Sequence, residues 1–285
     1  MLVDIIIVLL VMLSASRSDI AKREVSDRHW QIPPPPPRHW QILAVSGPVL
    51  FFIYCVCSEG LRWEFAANLL GMLCAALCFT AGDARQDVVM GAVSVVMAAM
   101  VLVFGDGGSL SNAGVAAQVM VFAYFLLYML GVLRGGADAK CLIALSVSLP
   151  IYYDVWNIPL VDSAGPASYM FVPSLSILLF GAMVAALWCV GWCLLRMDGK
   201  KRRGLSCVMD IGSAEKAFVW PLEDVKEGKK VRTGTCSDED MPEVYARLRD
   251  HGEAEVEVSY MIPFIAPLTV ATVFTLVVGN PLFLI

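Results

Sequence analysis

Two aspartates, Asp19 and Asp138, lie beside long uncharged apolar runs. Asp19 follows the apolar residues 1–16, and Asp138 stands just before the run from Cys141 to Tyr153. Acids at the edge of an apolar environment cost free energy unless they are paired or functional. Two carboxyl groups in one partly dehydrated site share a proton, because both cannot ionise cheaply. One can then take a proton from water while the other hydrogen-bonds a carbonyl, which is chemistry suited to hydrolysis of a peptide bond.

The apolar runs are the elements that would position these aspartates. The chain is 58% hydrophobic and 16% charged, with a mean hydropathy of +0.69. Runs that approach membrane-spanning length cover roughly 1–16, 42–57, 65–80, 88–104, 115–133, 137–153, 170–195 and 260–284. This pattern predicts an all-α polytopic membrane protein of about six to eight transmembrane helices with a small cytoplasmic α+β domain.

The distribution of basic residues predicts an orientation for these spans. If the first span runs inward, the external loops hold only Arg62, and the other twenty Lys and Arg residues lie inside. Both termini are then outside the cytoplasmic membrane. Four spans separate Asp19 from Asp138, and an even number returns the chain to the same side. We therefore expect the two aspartates at the cytoplasmic face, where they can meet.

The sequence also predicts a division into domains. A membrane region covers 1–195 and includes a proline-rich duplicated insertion at 28–37; a cytoplasmic α+β domain covers 196–258, and a final transmembrane helix covers 259–285. Within the polar domain we expect β-type structure at Lys229 to Thr235 and a helix near Pro242 to Asp250. Residues 204–258 carry 13 acids and 7 bases. This acidic surface either receives basic peptides or is simply a solvated face.

Composition narrows the classes of ligand. The net charge of −5 offers no basic surface for nucleic acid. The nine cysteines include no Cys-x-x-Cys pair, so the sequence suggests neither a disulfide scaffold nor a zinc ribbon.

Three stretches resemble the GxGD aspartyl proteases of the type IV prepilin peptidase class, most closely the archaeal preflagellin peptidases. The segment from Ser18 to Asp27 is similar to the context of the family's first catalytic aspartate. Gly135-Gly136-Ala137-Asp138 matches the motif of the second, with alanine at its third position. The residues from Met261 to Thr269 resemble the family's proline-punctuated last helix.

The resemblance implies a membrane aspartic endopeptidase that removes the leader of type IV pilin-like or archaellin precursors at the cytoplasmic face. Asp19 and Asp138 would be catalytic, with neither metal nor another cofactor. Gly135, Gly136 and Ala137 would shape the backbone beside them, and Lys140 would support the site or anchor its helix. The partners would be the precursor and the lipid bilayer.

Other interpretations remain open at this point. A bifunctional peptidase would also methylate the new N-terminus. A transporter or structural membrane protein would use both aspartates as helix caps or ion contacts. Asp83, which follows Gly82, is a weaker candidate for the second catalytic position, and Tyr153-Asp154 resembles a motif of presenilin-like proteases but lies on the predicted outer side.

Overall fold

The computed structural model describes residues 2–22, 42–78, 84–133, 136–161, 172–196, 202–203, 206–226, 228–233 and 241–280. The chain divides into two compact units. The first, here called the helical unit, comprises Met1–Ala182 with Phe264–Ile285, and the second, the sheet unit, comprises Met183–Pro263. The insertion at 28–37, Asp83 and Gly135 lie outside the described residues.

The helical unit is built from apolar helices. They are α1 (Leu2–Lys22), α2 (Ile42–Glu59), α3 (Trp63–Leu77), α4 (Ala84–Phe104), α5 (Ser109–Met129), α6 (Gly136–Ser148), α7 (Pro173–Arg196), which continues into the sheet unit, and α10 (Ile265–Val278). The core of the unit includes Met12 from α1, Leu43 from α2, Leu145 from α6 and Leu268 from α10, all fully buried. The candidate site lies where α1, α6 and α10 meet.

Small residues let the helices approach closely. A Cβ added at Gly47 of α2 would lie 2.5 Å from Ser148 Cα of α6. At the same crossing the Ser148 hydroxyl donates a hydrogen bond to the Leu43 carbonyl oxygen over 3.0 Å. The absent side chain of Gly47 therefore sets the separation of α2 and α6.

Polar side chains also join the helices that surround α6. The Gln118 amide of α5 donates to Asn68 Oδ1 of α3 over 3.0 Å and accepts from the Ser94 hydroxyl of α4 over 3.1 Å. Asn68 in turn donates to the Ser111 carbonyl oxygen over 2.9 Å. Because these buried amides have partners, they hold the three helices in register rather than destabilising them.

The expectation of six to eight transmembrane helices is wrong. Among the described residues, two helical stretches, Ser109–Met129 and Pro173–Gly191, are long and apolar enough to cross a membrane. Other apolar helices, such as Trp63–Leu77 and Ile265–Val278, are shorter. The fold is therefore a mainly helical unit with two candidate spans, joined to a small unit that contains β-strands.

For the runs at 137–153 and 260–284, the physical reason is that the apolar run is longer than the helix inside it. The run at 137–153 contains the 13-residue α6, after which Pro150 follows. The run at 260–284 contains the 14-residue α10, which stops at Gly279 with φ of 86°. In α1, every stretch of about 18 residues, the length needed to span the hydrocarbon, includes at least three of Asp4, Arg17, Asp19 and Lys22.

The sheet unit contains a four-stranded antiparallel sheet and a separate hairpin. The sheet has the order β1 (Arg202–Arg203), β2 (Ser206–Asp210), β6 (Glu255–Tyr260) and β3 (Val219–Pro221), and the hairpin pairs β4 (Glu223–Lys226) with β5 (Lys229–Arg232). Two helices complete it, α8 (Ile211–Ala214) and α9 (Met241–Asp250). Strand β5 and helix α9 lie in the two segments where the sequence predicts a strand and a helix.

Many acids of the sheet unit are paired within it. The Arg247 guanidinium donates to both carboxylate oxygens of Asp224, each over 3.0 Å. This pairing holds the pKa of Asp224 below its usual range. Lys230 pairs with Glu223 and Glu253, at 3.1 Å and 3.0 Å. Acids held this way favour the interpretation of the acidic sequence as a solvated, internally paired face over that of a receptor for basic peptides.

Candidate active site

Asp19 is held in the last turn of α1, on its buried face. Met12, Ala15 and Asp19 recur at helical spacing and are all buried. Asp19 Oδ2 accepts a hydrogen bond of 2.9 Å from the backbone N–H of Ile265, the first residue of α10. The preceding residue, Phe264, supplies no side-chain cap. The carboxylate of Asp19 therefore caps α10 from another helix, a position that favours its ionised form.

A second contact fixes α10 against α1. The Thr269 hydroxyl lies 2.8 Å from the Ile265 carbonyl oxygen, within its own helix, and 3.2 Å from the Met12 carbonyl oxygen of α1. Thr269 is one turn beyond Ile265, and Met12 is two turns before Asp19. The amino-terminal turn of α10 is thus attached to α1 both at Asp19 and deeper in the core.

Asp138 lies in the first turn of α6 and is partly buried. Burial raises the pKa of its carboxyl group to about 7, and the negative charge of Asp19 contributes to the rise. The two aspartates, far apart in sequence, are therefore within electrostatic reach of each other. Ala137 packs against the core, and a Cβ at Gly136 would lie 3.7 Å from the Tyr128 hydroxyl oxygen.

Cys141 is a buried thiol at the contact between α6 and α1. It lies one turn after Asp138 in α6, is fully buried, and its Sγ is 3.6 Å from Met12 Sδ of α1. Burial raises the pKa of its thiol well above the usual range, and the charges of Asp138 and Asp19 raise it further. Both acids therefore lie within electrostatic reach of this thiol, which is at the contact between α1 and α6.

The opposite face of α6 lines a cavity that the sequence did not predict. Gly136, Ala139, Lys140 and Ile143, at helical spacing, contribute to a cavity of about 500 Å³ that is also lined by aromatic residues of α5. Asp138 lies between these positions, on the other face of the helix. Lys140, the predicted supporting residue, is therefore on the cavity face and not on the face that carries Asp138.

Asp4 is a second buried acid that sequence reasoning did not assign to a site. It lies at the other end of α1, fully buried, and its Oδ2 accepts a hydrogen bond of 3.4 Å from the Tyr153 hydroxyl. Burial raises its pKa to about 7. A raised pKa alone therefore does not single out Asp138; the neighbouring carboxylate does.

The remaining sequence candidates have ordinary structural roles or lie outside the described residues. The Tyr153 hydroxyl bonds to Asp4, and Asp154 accepts a turn hydrogen bond of 3.2 Å from the Asn157 N–H. Asp83 and Gly135 are not described. Among the described residues, no group of three or more His, Cys, Asp or Glu side chains is arranged to hold a metal ion.

No family model, curated protein or solved structure matches this chain. The resemblance to prepilin peptidases therefore depends on the residues around Asp19, Asp138 and Pro263 themselves.

Proposed function

We propose that the chain is an aspartic endopeptidase in which Asp19 and Asp138 form the catalytic pair. The observation that carries the proposal is that these two acids, distant in sequence, interact electrostatically where α1 packs against α6, and that Asp138 is partly dehydrated there. Two carboxyl groups that interact in this way titrate as a pair, and in the proposed pair one of them holds a proton. One activates water, and the other donates a hydrogen bond to the scissile carbonyl oxygen.

The proposed substrates are type IV pilin-like or archaellin precursors, cut at the end of their leader. The three family-like stretches support this class of substrate: α1 supplies Asp19, α6 supplies Asp138, and α10, whose Ile265 N–H bonds to Asp19, begins two residues after Pro263. Cleavage would occur at the cytoplasmic face of the cell membrane.

Association with the lipid bilayer is part of the proposal. The two candidate spans in α5 and α7 support it, as do large apolar side chains that are exposed along α7, including Leu187 at 70% and Met183 at 60%. Exposed apolar surface of this kind is typical of contact with lipid or with another protein.

A purely structural role for Asp19 is the competing interpretation. The hydrogen bond from Ile265 favours it, because capping a helix is a sufficient reason for a buried acid. The variant Asp19→Asn distinguishes the structural role from the catalytic one. The amide oxygen of asparagine still accepts the hydrogen bond from the Ile265 N–H, whereas the acid-base group is lost.

The test is an assay of membranes that contain the full chain and a pilin-like precursor, with N-terminal sequencing of the product. We expect Asp19→Asn and Asp138→Asn to abolish cleavage with the protein still folded. The matched control is Asp154→Asn, which replaces an exposed acid in a turn and should cleave normally. Full activity in either of the first two variants would refute the proposal, and sequencing also shows whether the new N-terminus is methylated.

A further inference from the structure

We infer that the first turn of α10 belongs to the catalytic site. The backbone N–H of Ile265 positions the Asp19 carboxylate and keeps Asp19 as the ionised member of the pair. Asp138 is then the protonated member. This inference rests on the proposed function and assigns the two acids different roles within it.

The geometry of the turn supports this assignment. Helices begin with backbone N–H groups that lack partners within the helix. In α10, Pro267 has no N–H, and the Leu268 N–H already bonds to the Phe264 carbonyl oxygen over 3.1 Å. The amides of Ile265 and Ala266 are therefore the ones this turn can offer, and that of Ile265 is directed at Asp19 Oδ2. An amide donor and the positive end of the helix dipole both stabilise a carboxylate.

The surroundings of the two acids differ. Within the part of the chain that the structure describes, no donor bonds to the Asp138 carboxyl group, although it lies in the first turn of α6. Of the described ionisable groups, the Cys141 thiol on α6 is affected by the charges of both acids, Arg17, which is exposed, and Lys22 neighbour Asp19 in the sequence of α1, and Lys140 lies on the cavity face of α6 with Tyr128 of α5. Helix α10 carries no ionisable side chain. On α2, which also packs against α1, Tyr54 packs on Tyr153 beside Asp4, at the other end of α1 from Asp19.

The asymmetry gives each acid one task in hydrolysis. Asp19 takes a proton from water as the water oxygen bonds to the scissile carbon. The carbonyl π electrons move to oxygen, which takes the proton of Asp138. As the C–N bond breaks, the leaving nitrogen takes the proton held by Asp19, and the carbonyl re-forms as the proton returns to Asp138. The net change is addition of one water, and both acids recover their starting states.

The first test compares the pH dependence of cleavage in Ile265→Pro and Ile265→Val. Proline removes the donor at the first helical position, where proline is common, but Phe264 before it has φ −69° and ψ −28°, which proline disfavours, so circular dichroism must first show that the variant is folded. Valine keeps the N–H. We expect the acidic limb of kcat to move up by about one pH unit or more in Ile265→Pro, because a hydrogen bond to a charged group is lost. The limb should stay in place in Ile265→Val. An unmoved acidic limb in an active Ile265→Pro enzyme overturns the inference, while the proposed dyad survives.

A second test needs neither substrate nor a change in α10. Infrared spectra of the full chain at about pH 6 are recorded for the wild type, Asp19→Asn and Asp138→Asn. The absorption of a protonated carboxyl group should be lost in Asp138→Asn and kept in Asp19→Asn, while Asp4 contributes equally to all three. The assignment is contradicted if this absorption is lost in Asp19→Asn and kept in Asp138→Asn, or if it is kept in both variants. Either result holds whether or not the chain is a peptidase.

Discussion

At the scale of single residues, the candidate site is defined by two acids in unlike surroundings. Asp19 is buried and accepts a backbone hydrogen bond, whereas Asp138 is partly buried beside it and has a raised pKa. The sequence predicts both as candidates because each ends or begins an apolar run and stands in a family-like motif. It missed the cap from Ile265 and the burial of Asp4, because both depend on contacts between distant parts of the chain.

The raised pKa of Asp138 predicts a dependence of stability on pH. Its carboxyl group has a pKa of about 7 in the folded chain against 3.8 as the reference value. Between these values the unfolded chain releases a proton that the folded chain retains, so the free energy of unfolding falls as pH rises and levels off above about 7. Asp138→Asn should show a shallower fall in urea titrations across this range. Asp154→Asn should behave as the wild type, and an unchanged slope in Asp138→Asn would count against the burial of this acid.

The cap on α10 predicts a difference between two substitutions of Asp19. Asp19→Ala removes the acceptor for the Ile265 N–H and should lower the free energy of unfolding by about 1 kcal/mol. Asp19→Asn keeps an acceptor and should lose little stability, although it loses activity. Urea denaturation of both variants at one pH measures the difference, and equal losses would mean that the hydrogen bond does not stabilise the fold.

At the scale of elements, the sequence predicted where helices lie but not where each helix ends. Apolar composition correctly indicated helices, but it did not show that α6 stops before Pro150 or that α10 stops at Gly279. The lengths of the runs therefore overstated the number of membrane spans. The strand β5 and helix α9 were easier to predict, because their polar sequences are short and have clear local patterns.

Close packing of α2 on α6 predicts that Gly47 tolerates no side chain. In Gly47→Ala the new Cβ would meet Ser148 Cα at 2.5 Å, so a helix must shift, which costs roughly 1–3 kcal/mol. Gly91→Ala in α4 is the matched control, since its nearest neighbour would be Phe122 at 3.9 Å and alanine favours helix by roughly 0.5–1 kcal/mol. Thermal unfolding compares the two. Equal stability of both variants would contradict the close approach of α2 and α6.

At the scale of the whole molecule, the fold is a helical unit that carries the candidate site and a sheet unit with its own core. Helix α10 belongs to the helical unit, although the sheet unit separates it in sequence from the other helices of that unit. This return of the chain brings Ile265 to Asp19. The distribution of charges along the sequence could not predict this contact between Ile265 and Asp19.

The proposed contact of α7 with lipid predicts the effect of a charge on its exposed face. Leu187→Arg should weaken retention in membranes that have been washed with alkaline carbonate, because arginine costs about 2.5–3.5 kcal/mol at the centre of a span and Leu187 lies inside the candidate span Pro173–Gly191, near the middle of α7. Leu61→Arg, at an equally exposed position outside the helices, should leave retention unchanged. If Leu187→Arg is retained as well as the wild type, this face of α7 does not contact lipid.

If Asp19 and Asp138 act as one catalytic unit, the cleavage rate of the double variant should reveal it. Residues that act as a unit are not additive, so removing both should cost no more than removing one. The account predicts that Asp19→Asn, Asp138→Asn and the double variant all fall to the same background rate on a pilin-like precursor, while Asp154→Asn cleaves normally. A single variant that keeps near wild-type activity, or a double variant whose loss is the product of two modest losses, would contradict it.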